Sequence, residues 1–279
     1  MKVLVTGAKG QLGQDILRLL ENSPWEVFGF GREELDITDK EQVNNRVFTI
    51  QPNIIIHTAA YTQVDQAESD EQTAFKVNGE GTKYMAQAAE KIGAKFCYIS
   101  TDYVFDGTKN EPYKIDDQTN PQTVYGKSKL AGEQYTQKYC SKYFIVRTSW
   151  VFGLYGNNFV KTMLHLATDK EKLGVVHDQI GAPTYTNDLA RFIVELVQSN
   201  KYGVYHASNS GVCSWYEFAK EIFKQANINI TVNPLSTEEF PRPATRPKYS
   251  VLDKGMIQQN GFNEFPHWKE ALGDFLNKL

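Results

Sequence analysis

At its N-terminus an apolar run, Val3-Leu4-Val5-Thr6, gives way to three glycines at regular intervals, Gly7, Gly10 and Gly13, and then to Leu12, Ile16, Leu19 and Leu20 at helical spacing. Few folds accommodate a strand that runs through a glycine turn directly into a helix. Glycine permits the tight turn and lets backbone N–H groups at the helix N-terminus approach a pyrophosphate. No Gly-Lys-Ser/Thr ending follows, which argues against a nucleotide-hydrolysing P-loop. Gly7, Gly10, Gln11, Leu12 and Gly13 are therefore the expected phosphate contacts of a dinucleotide.

The strand–helix alternation continues. Further strands are predicted at 25–30, 53–58, 95–100 and 143–149, with helical spacing across 75–92 and 125–139. Near-continuous apolar strands such as Ile54-Ile55-Ile56, alternating with helices, indicate a parallel sheet covered on both faces. The fold class is α/β, a Rossmann-type doubly wound sheet. Beyond Trp150 the pattern loosens into a helix near 159–168, a strand near 173–176, a loop at 178–185, a helix at 187–198 and a strand at 203–207. Pro234, Pro241, Pro243 and Pro247 exclude regular helix from 233–247. The expected organisation is a dinucleotide-binding domain over 1–150, with returning elements near 172–207, and a smaller α/β substrate-binding lid drawn mainly from 151–279.

A chain of 279 residues has room for one such domain and its appendage. Its 30 basic and 33 acidic residues leave a net charge of -3, which makes no electrostatic case for nucleic acid or an anionic membrane. A small soluble ligand is the expected partner. Met1-Lys2 leads straight into the first strand without an apolar leader, and no apolar run reaches membrane-spanning length, so the expected location is cytoplasmic. Cys97, Cys140 and Cys213 suit neither a disulfide framework nor a zinc site and read as reduced packing residues.

Where an acidic residue about 20 positions past the glycines would bind the ribose 2′-hydroxyl of NAD, the chain has Phe30-Gly31-Arg32. Arg32 can pair with a 2′-phosphate, so the reading favours NADPH, with NADH as the alternative because Glu33 and Glu34 follow directly. Asp36 and Ile37 are placed under the adenine, and Ala59, Ala60 and Tyr61, after the third strand, where backbone can lie against the cofactor. Tyr125 and Lys129 stand four apart and share one helix face. A phenol has a pKa of about 10, and a neighbouring ammonium lowers it by favouring the phenolate.

Together with 57–62, Val77-Asn78 and the string Ser100-Thr101-Asp102-Tyr103-Val104-Phe105-Asp106-Gly107, these motifs resemble the extended short-chain dehydrogenases/reductases. More narrowly, the strings 101–107, 147–153, 158–160 and 178–184 and the pair Arg242-Pro243 are similar to the dTDP-4-dehydrorhamnose reductases over essentially the whole chain. The resemblance implies the last step of dTDP-L-rhamnose synthesis, which feeds cell-envelope polysaccharide: NAD(P)H reduces the C4 keto group of dTDP-4-dehydro-L-rhamnose. It implies Tyr125 as proton donor, Lys129 as the charge that lowers its pKa and holds the nicotinamide ribose, and Thr101 as a hydrogen-bond partner of the same carbonyl oxygen. Tyr103 and Trp150 are implied to shape the sugar pocket, and Asn158 and Arg242, with Lys161 as a further candidate, to meet the nucleotide diphosphate. Asn78 is expected to order the site, and His57 to be a satisfied structural histidine.

Some members carry a divalent metal such as magnesium at a dimer contact. Here Asp15 is the one acidic candidate, no His/Cys/Asp cluster supports a metal, and the assembly, with a homodimer as the candidate, stays open. Two alternatives remain: another nucleotide-sugar reductase or epimerase of the same fold, and a dinucleotide-binding regulatory subunit like that of methionine adenosyltransferase. Intact Thr101, Tyr125 and Lys129 argue against the latter.

Overall fold

The computed structural model describes residues 1–279. Its first half contains β1 (Lys2–Thr6), α1 (Gln11–Leu20), β2 (Glu26–Phe30), α2 (Lys40–Ile50), β3 (Ile54–His57), α3 (Val64–Ala67), α4 (Glu71–Phe75), α5 (Thr82–Lys91) and β4 (Lys95–Thr101). There follow α6 (Val124–Tyr139), β5 (Tyr143–Thr148), β6 (Val151–Phe152), α7 (Phe159–Asp169), β7 (Lys172–Val176), β8 (Ile180–Gly181), β9 (Thr184–Tyr185), α8 (Thr186–Gln198) and β10 (Gly203–His206). β11 (Cys213–Ser214), α9 (Trp215–Gln225), β12 (Thr231–Leu235), α10 (Gly255–Gln259) and α11 (Trp268–Leu276) complete the chain.

Six strands form one parallel sheet in the order β10-β5-β4-β3-β1-β2. Successive side chains on a strand point to opposite faces, and both faces here are apolar. Val3, Val5, Ile54, Ile56, Phe144 and Val146 pack with α1 and α8, whereas Leu4, Ile55 and Ile145 pack with α2 and α5. Double burial explains why these strands read as unbroken apolar runs. The order reverses between β1 and β3, which opens a crevice at their carboxyl ends.

Some elements escape sequence reading. α2 lies outside the predicted elements although its buried residues, Val43, Val47 and Ile50, stand at i, i+4 and i+7; Asp39 caps it, accepting from Glu41 N at 2.9 Å and Gln42 N at 3.1 Å. The helix expected across 75–92 is interrupted by a π turn, Lys76–Gly81, in which Asn78 is buried. A Cβ on Gly81 would lie 2.9 Å from Ile37 Cδ1, so glycine lets the segment after β2 pack on this turn. β12 runs through Pro234, tolerated because its one partner is β7. Within 172–207, α8 and β10 return to the central sheet, but β7 does not. Phe152, Val160, Leu173, Phe218, Trp268 and Phe275 belong to a separate core drawn wholly from beyond residue 150. No helix is long and apolar enough to cross a membrane.

Two buried histidines stiffen this framework as neutral groups. His57 Nδ1 accepts from Thr6 Oγ1 at 2.7 Å; its Nε2 donates to Thr82 Oγ1, whose own proton goes to the Asn78 carbonyl. His206 Nδ1 donates to the Asp253 carbonyl, and Nε2 accepts from Arg147. Burial, aided by the cations Lys129 and Arg147 respectively, pushes both pKa values down to about 3. Unfolded histidine takes up a proton below about pH 6.5, which the folded state resists, so the stability they confer is complete above that pH and lost on acidification towards 3. Each imidazole should remove about 1.4 kcal/mol per pH unit over this window. Urea unfolding from neutral pH downward tests this, and a stability unchanged to about pH 4 would contradict neutral burial.

Candidate active site

A cavity of about 840 Å³ lies along the carboxyl ends of β1, β3, β4 and β5. The glycine turn forms one end. Gly7 has φ +66°, and a Cβ there would sit 2.6 Å from Ala59 N; one on Gly13 would collide with the Gly7 carbonyl. Gly10 precedes α1, whose first turn has no side-chain cap, so its N–H groups remain available to an anion. Gln11 and Leu12 complete this wall. A cradle that side chains would fill, beside uncapped helix amides, fits the pyrophosphate of a dinucleotide.

Beyond β2 the cavity is lined by Arg32, Asp36 and Ile37. The two carboxylates after Arg32 are engaged elsewhere: Lys9 lies 3.2 Å from Glu33 and 3.0 Å from Glu34. Arg32 has no ion-pair partner of its own, although it faces Asp36. Burial raises the pKa of Asp36, but the Thr38 N–H and hydroxyl and the charge of Arg32 outweigh it and hold the carboxyl below its ordinary value. Across the cavity stand Ala59, Ala60 and Tyr61. Asn78 fixes the Tyr61 backbone from the π turn, accepting its N–H at 2.8 Å and donating to its carbonyl at 3.0 Å and to Ser128 Oγ at 2.9 Å.

The far end is built from β4 and α6. Thr123 caps α6 and so sets its start, which brings Tyr125 and Lys129 onto the buried face. Tyr125 meets Tyr103 edge-on, with ring centroids 5.6 Å apart. Burial pushes the Tyr125 phenol well above its usual value; the nearby Thr101 hydroxyl works against that rise and Asp102 adds to it. Burial lowers Lys129 to about 7, against the pull of Glu133. Lys129 Nζ donates to the Ile99 carbonyl at 2.6 Å and sits 4.2 Å from the centre of the Tyr98 ring. The expected lowering of the phenol by Lys129 is therefore not present in this arrangement, because the ammonium is turned to β4 and no hydrogen bond joins the two side chains. Thr101 Oγ1 donates to Asp102 Oδ1 at 2.9 Å and accepts the Tyr103 N–H at 3.2 Å. Asp102, at 3% exposure, is raised by burial to about 6 against the Thr101 hydroxyl, the nearby Ser250 hydroxyl and backbone N–H groups.

Trp150 closes the wall after β5. It holds φ +47°, strained for a bulky residue, and stacks on Trp215 at 3.6 Å. Asn158 and Arg242 lie outside the cavity wall. Asn158 is the N-cap of α7: its Oδ1 accepts from Lys161 N at 3.1 Å, and its Nδ2 donates to Gln11 Oε1 at 3.0 Å and to the Gly153 carbonyl at 2.8 Å. All its hydrogen-bonding groups are engaged, and it ties the lid to the glycine turn. Lys161 Nζ is likewise spent on the carbonyls of Leu154 and Gly156. Arg242 is half-exposed, outside the cavity wall, and pairs with Asp65 at 3.1 Å; Arg246, which spacing did not single out, reaches the same carboxylate at 2.9 Å from a more buried position. Asp15, the one metal candidate, is buried against the Thr186 hydroxyl. Asp102 was also missed as a site residue, although its position beside Thr101 at a strand end was the available signal.

A glycine-turn crevice at the switch point of a doubly wound sheet, continuous with a Tyr–Lys helix and a strand-end threonine, defines a dinucleotide-dependent enzyme fold of the short-chain dehydrogenase/reductase class. The chain belongs to the dTDP-4-dehydrorhamnose reductase family: the family model described as "RmlD substrate binding domain" matches residues 1–279. It is 44% identical to the dTDP-4-dehydrorhamnose reductase of Aggregatibacter actinomycetemcomitans, over 97% of each chain. It is also 44% identical to the spore coat polysaccharide biosynthesis protein SpsK of Bacillus subtilis, over 99% of this chain and 97% of that one. Among solved structures, dTDP-4-dehydrorhamnose reductase from Bacillus anthracis in complex with NADP superposes with a TM-score of 0.98 at 48% identity, covering 100% of this chain and 99% of the other.

Proposed function

We propose that the chain reduces the C4 keto group of dTDP-4-dehydro-L-rhamnose with NADPH, giving dTDP-L-rhamnose. The observation that carries this reading is the single cavity that joins the uncapped glycine turn to Tyr125, Thr101 and Lys129, in a chain similar end to end to named reductases. Residues 1–150 with α8 and β10 hold the dinucleotide, and the remainder of 151–279 forms the lid over the nucleotide sugar. On this reading the reaction takes place in the cytoplasm.

Gly7, Gly10, Gln11, Leu12 and Gly13 receive the pyrophosphate, Asp36 and Ile37 the adenosine end, and Ala59, Ala60 and Tyr61 the middle of the cofactor. When bound, the reduced nicotinamide supplies the hydride. Tyr125 keeps its proton through the neutral range and yields it only as negative charge grows on the ketone oxygen. Lys129, near the midpoint of its own titration, offers a cation to the ribose and to the phenolate left behind. Positioned acid catalysis of this kind contributes about 10²- to 10⁴-fold. Trp150 and Tyr103 shape the sugar pocket, Trp150 held by stacking on Trp215 and Tyr103 by the edge of Tyr125.

The direct test is oxidation of NADPH in the presence of dTDP-4-dehydro-L-rhamnose generated in situ, with the preceding epimerase omitted as control. Epimerase-dependent oxidation is expected; none, with NADPH still bound, would remove the assignment. Arg32 supplies a second expectation. Because Lys9 absorbs both following carboxylates, Arg32 is free for a 2′-phosphate, and Arg32→Ala should lower the NADPH-to-NADH preference by about 10-fold or more, the worth of a charge-assisted contact. An unchanged ratio would sink that role.

A further inference from the structure

The hydroxyl of Thr101 has one proton and two lone pairs, and the structure shows where they go. The proton is held by Asp102 Oδ1 at 2.9 Å, and one lone pair takes the Tyr103 N–H at 3.2 Å. One lone pair is left, so with its proton held in this way Thr101 can accept from the neighbouring phenol but cannot donate to it, or to a substrate oxygen. The chain of donors then runs from Tyr125 through Thr101 to Asp102. That direction draws the acid's proton away from the ketone and leaves an emerging phenolate without a donor from Thr101.

The other end of the chain is unusual. Asp102 Oδ2 is buried with no partner, the Ser250 hydroxyl nearby completes no hydrogen bond, and no cation pairs with the carboxylate. The titratable groups that face it are Tyr103 and Tyr125, and Arg246 lies against Tyr103. A buried, unpaired carboxylate oxygen is costly when charged and much less so when protonated.

We propose that Asp102 is a positioning residue whose protonated carboxyl reverses this chain, donating to Thr101 so that Thr101 donates to Tyr125 and the phenol proton is aimed at the substrate oxygen. The inference rests on the proposed reduction. No bond to Asp102 forms or breaks in the chemical step: the proton gained by the alcohol leaves Tyr125, and Asp102 keeps its own. Burial already raises this carboxyl to about 6, and closure of the cavity around an anionic nucleotide sugar raises it further. The apparent ionisation should therefore lie higher in kcat than in kcat/KM, since kcat reports the substrate complex.

The test combines kinetics with an infrared titration of the protein. For wild type, kcat/KM should fall about tenfold per pH unit above the ionisation. That ionisation should be missing from Asp102→Asn and from the residual activity of Thr101→Val, leaving only the later fall as Lys129 loses its charge near 7, while NADPH binding by both variants confirms their fold. A merely structural Asp102 would leave the earlier ionisation in place, and its persistence in either variant overturns the proposal. Independently of turnover, the infrared spectrum should show a protonated-carboxyl band that titrates in wild type and is missing from Asp102→Asn. If Asp102 is instead ionised throughout about pH 5–8, the proposal fails. A wild type that binds NADPH but does not reduce this nucleotide sugar would refute the assigned reaction, and the infrared band would still decide the state of Asp102.

Discussion

Tyr125→Phe is expected to lose about 10²- to 10⁴-fold in turnover while binding NADPH as tightly as wild type. The substitution deletes one oxygen and keeps the ring, so the edge-on contact with Tyr103 at 5.6 Å survives. The Thr123 cap and the Lys129 contact with Ile99 do not involve the phenol oxygen, so the helix and its ammonium stay in place. A loss confined to kcat, with KM little changed, would report an interaction made in the transition state alone. Turnover within about threefold of wild type would remove Tyr125 as the acid, because no positioned proton donor contributes so little.

The largest effect on stability is expected from Arg147→Met. Arg147 and Glu133 form a bidentate pair at 2.7 and 2.9 Å, with side chains only 6% and 2% exposed, and Ser100 Oγ donates to the same carboxylate. Attraction between two such charges roughly offsets the cost of burying them, but removing one leaves the other uncompensated. Methionine retains much of the packing over Phe105, so the loss should report charge: about 3–5 kcal/mol, read as a lower urea midpoint at unchanged slope. Adding Glu133→Leu should recover a substantial part, since a neutral, filled site costs less than an orphaned carboxylate. A neutral Arg147→Met, or a double variant weaker than the single, would show that the pair carries no such penalty.

The framework was legible because double burial leaves a mark in composition. Ile54-Ile55-Ile56 can be nothing but an inner strand once a glycine turn precedes it, and Tyr125 and Lys129 share a face by helix geometry alone. Other features leave no such mark. The π turn that buries Asn78 depends on how Ile37 approaches Gly81, a contact between segments over 40 residues apart in sequence. The direction of the Lys129 ammonium is set by a carbonyl on β4, and spacing carries no information about it. The surroundings of Asn158 and Arg242 were not legible for different reasons. An asparagine directly before Phe159 is itself a helix-start signal, which a closer reading of α7 could have taken up. Arg242 and Arg246 are indistinguishable by residue type and both reach Asp65 on α3, so only their burial, which spacing does not carry, separates them.

The return of the chain to the central sheet has a consequence for its synthesis. The face of the sheet carrying Val3, Val5, Ile54 and Ile56 is covered by α1, by Leu189, Ile193 and Leu196 of α8, and by Phe262 and Phe265 near the C-terminus. A ribosome that has released only the first 150 residues has made five of the six strands but, on this face, only α1 of their cover. The edge of β5 has no neighbour until β10 emerges about 55 residues later, so the nascent chain presents an open strand edge and an apolar face together. The half that holds the glycine turn thus depends on the last-made residues to become soluble, and truncation at the apparent domain boundary should yield aggregate, not a small nucleotide-binding protein.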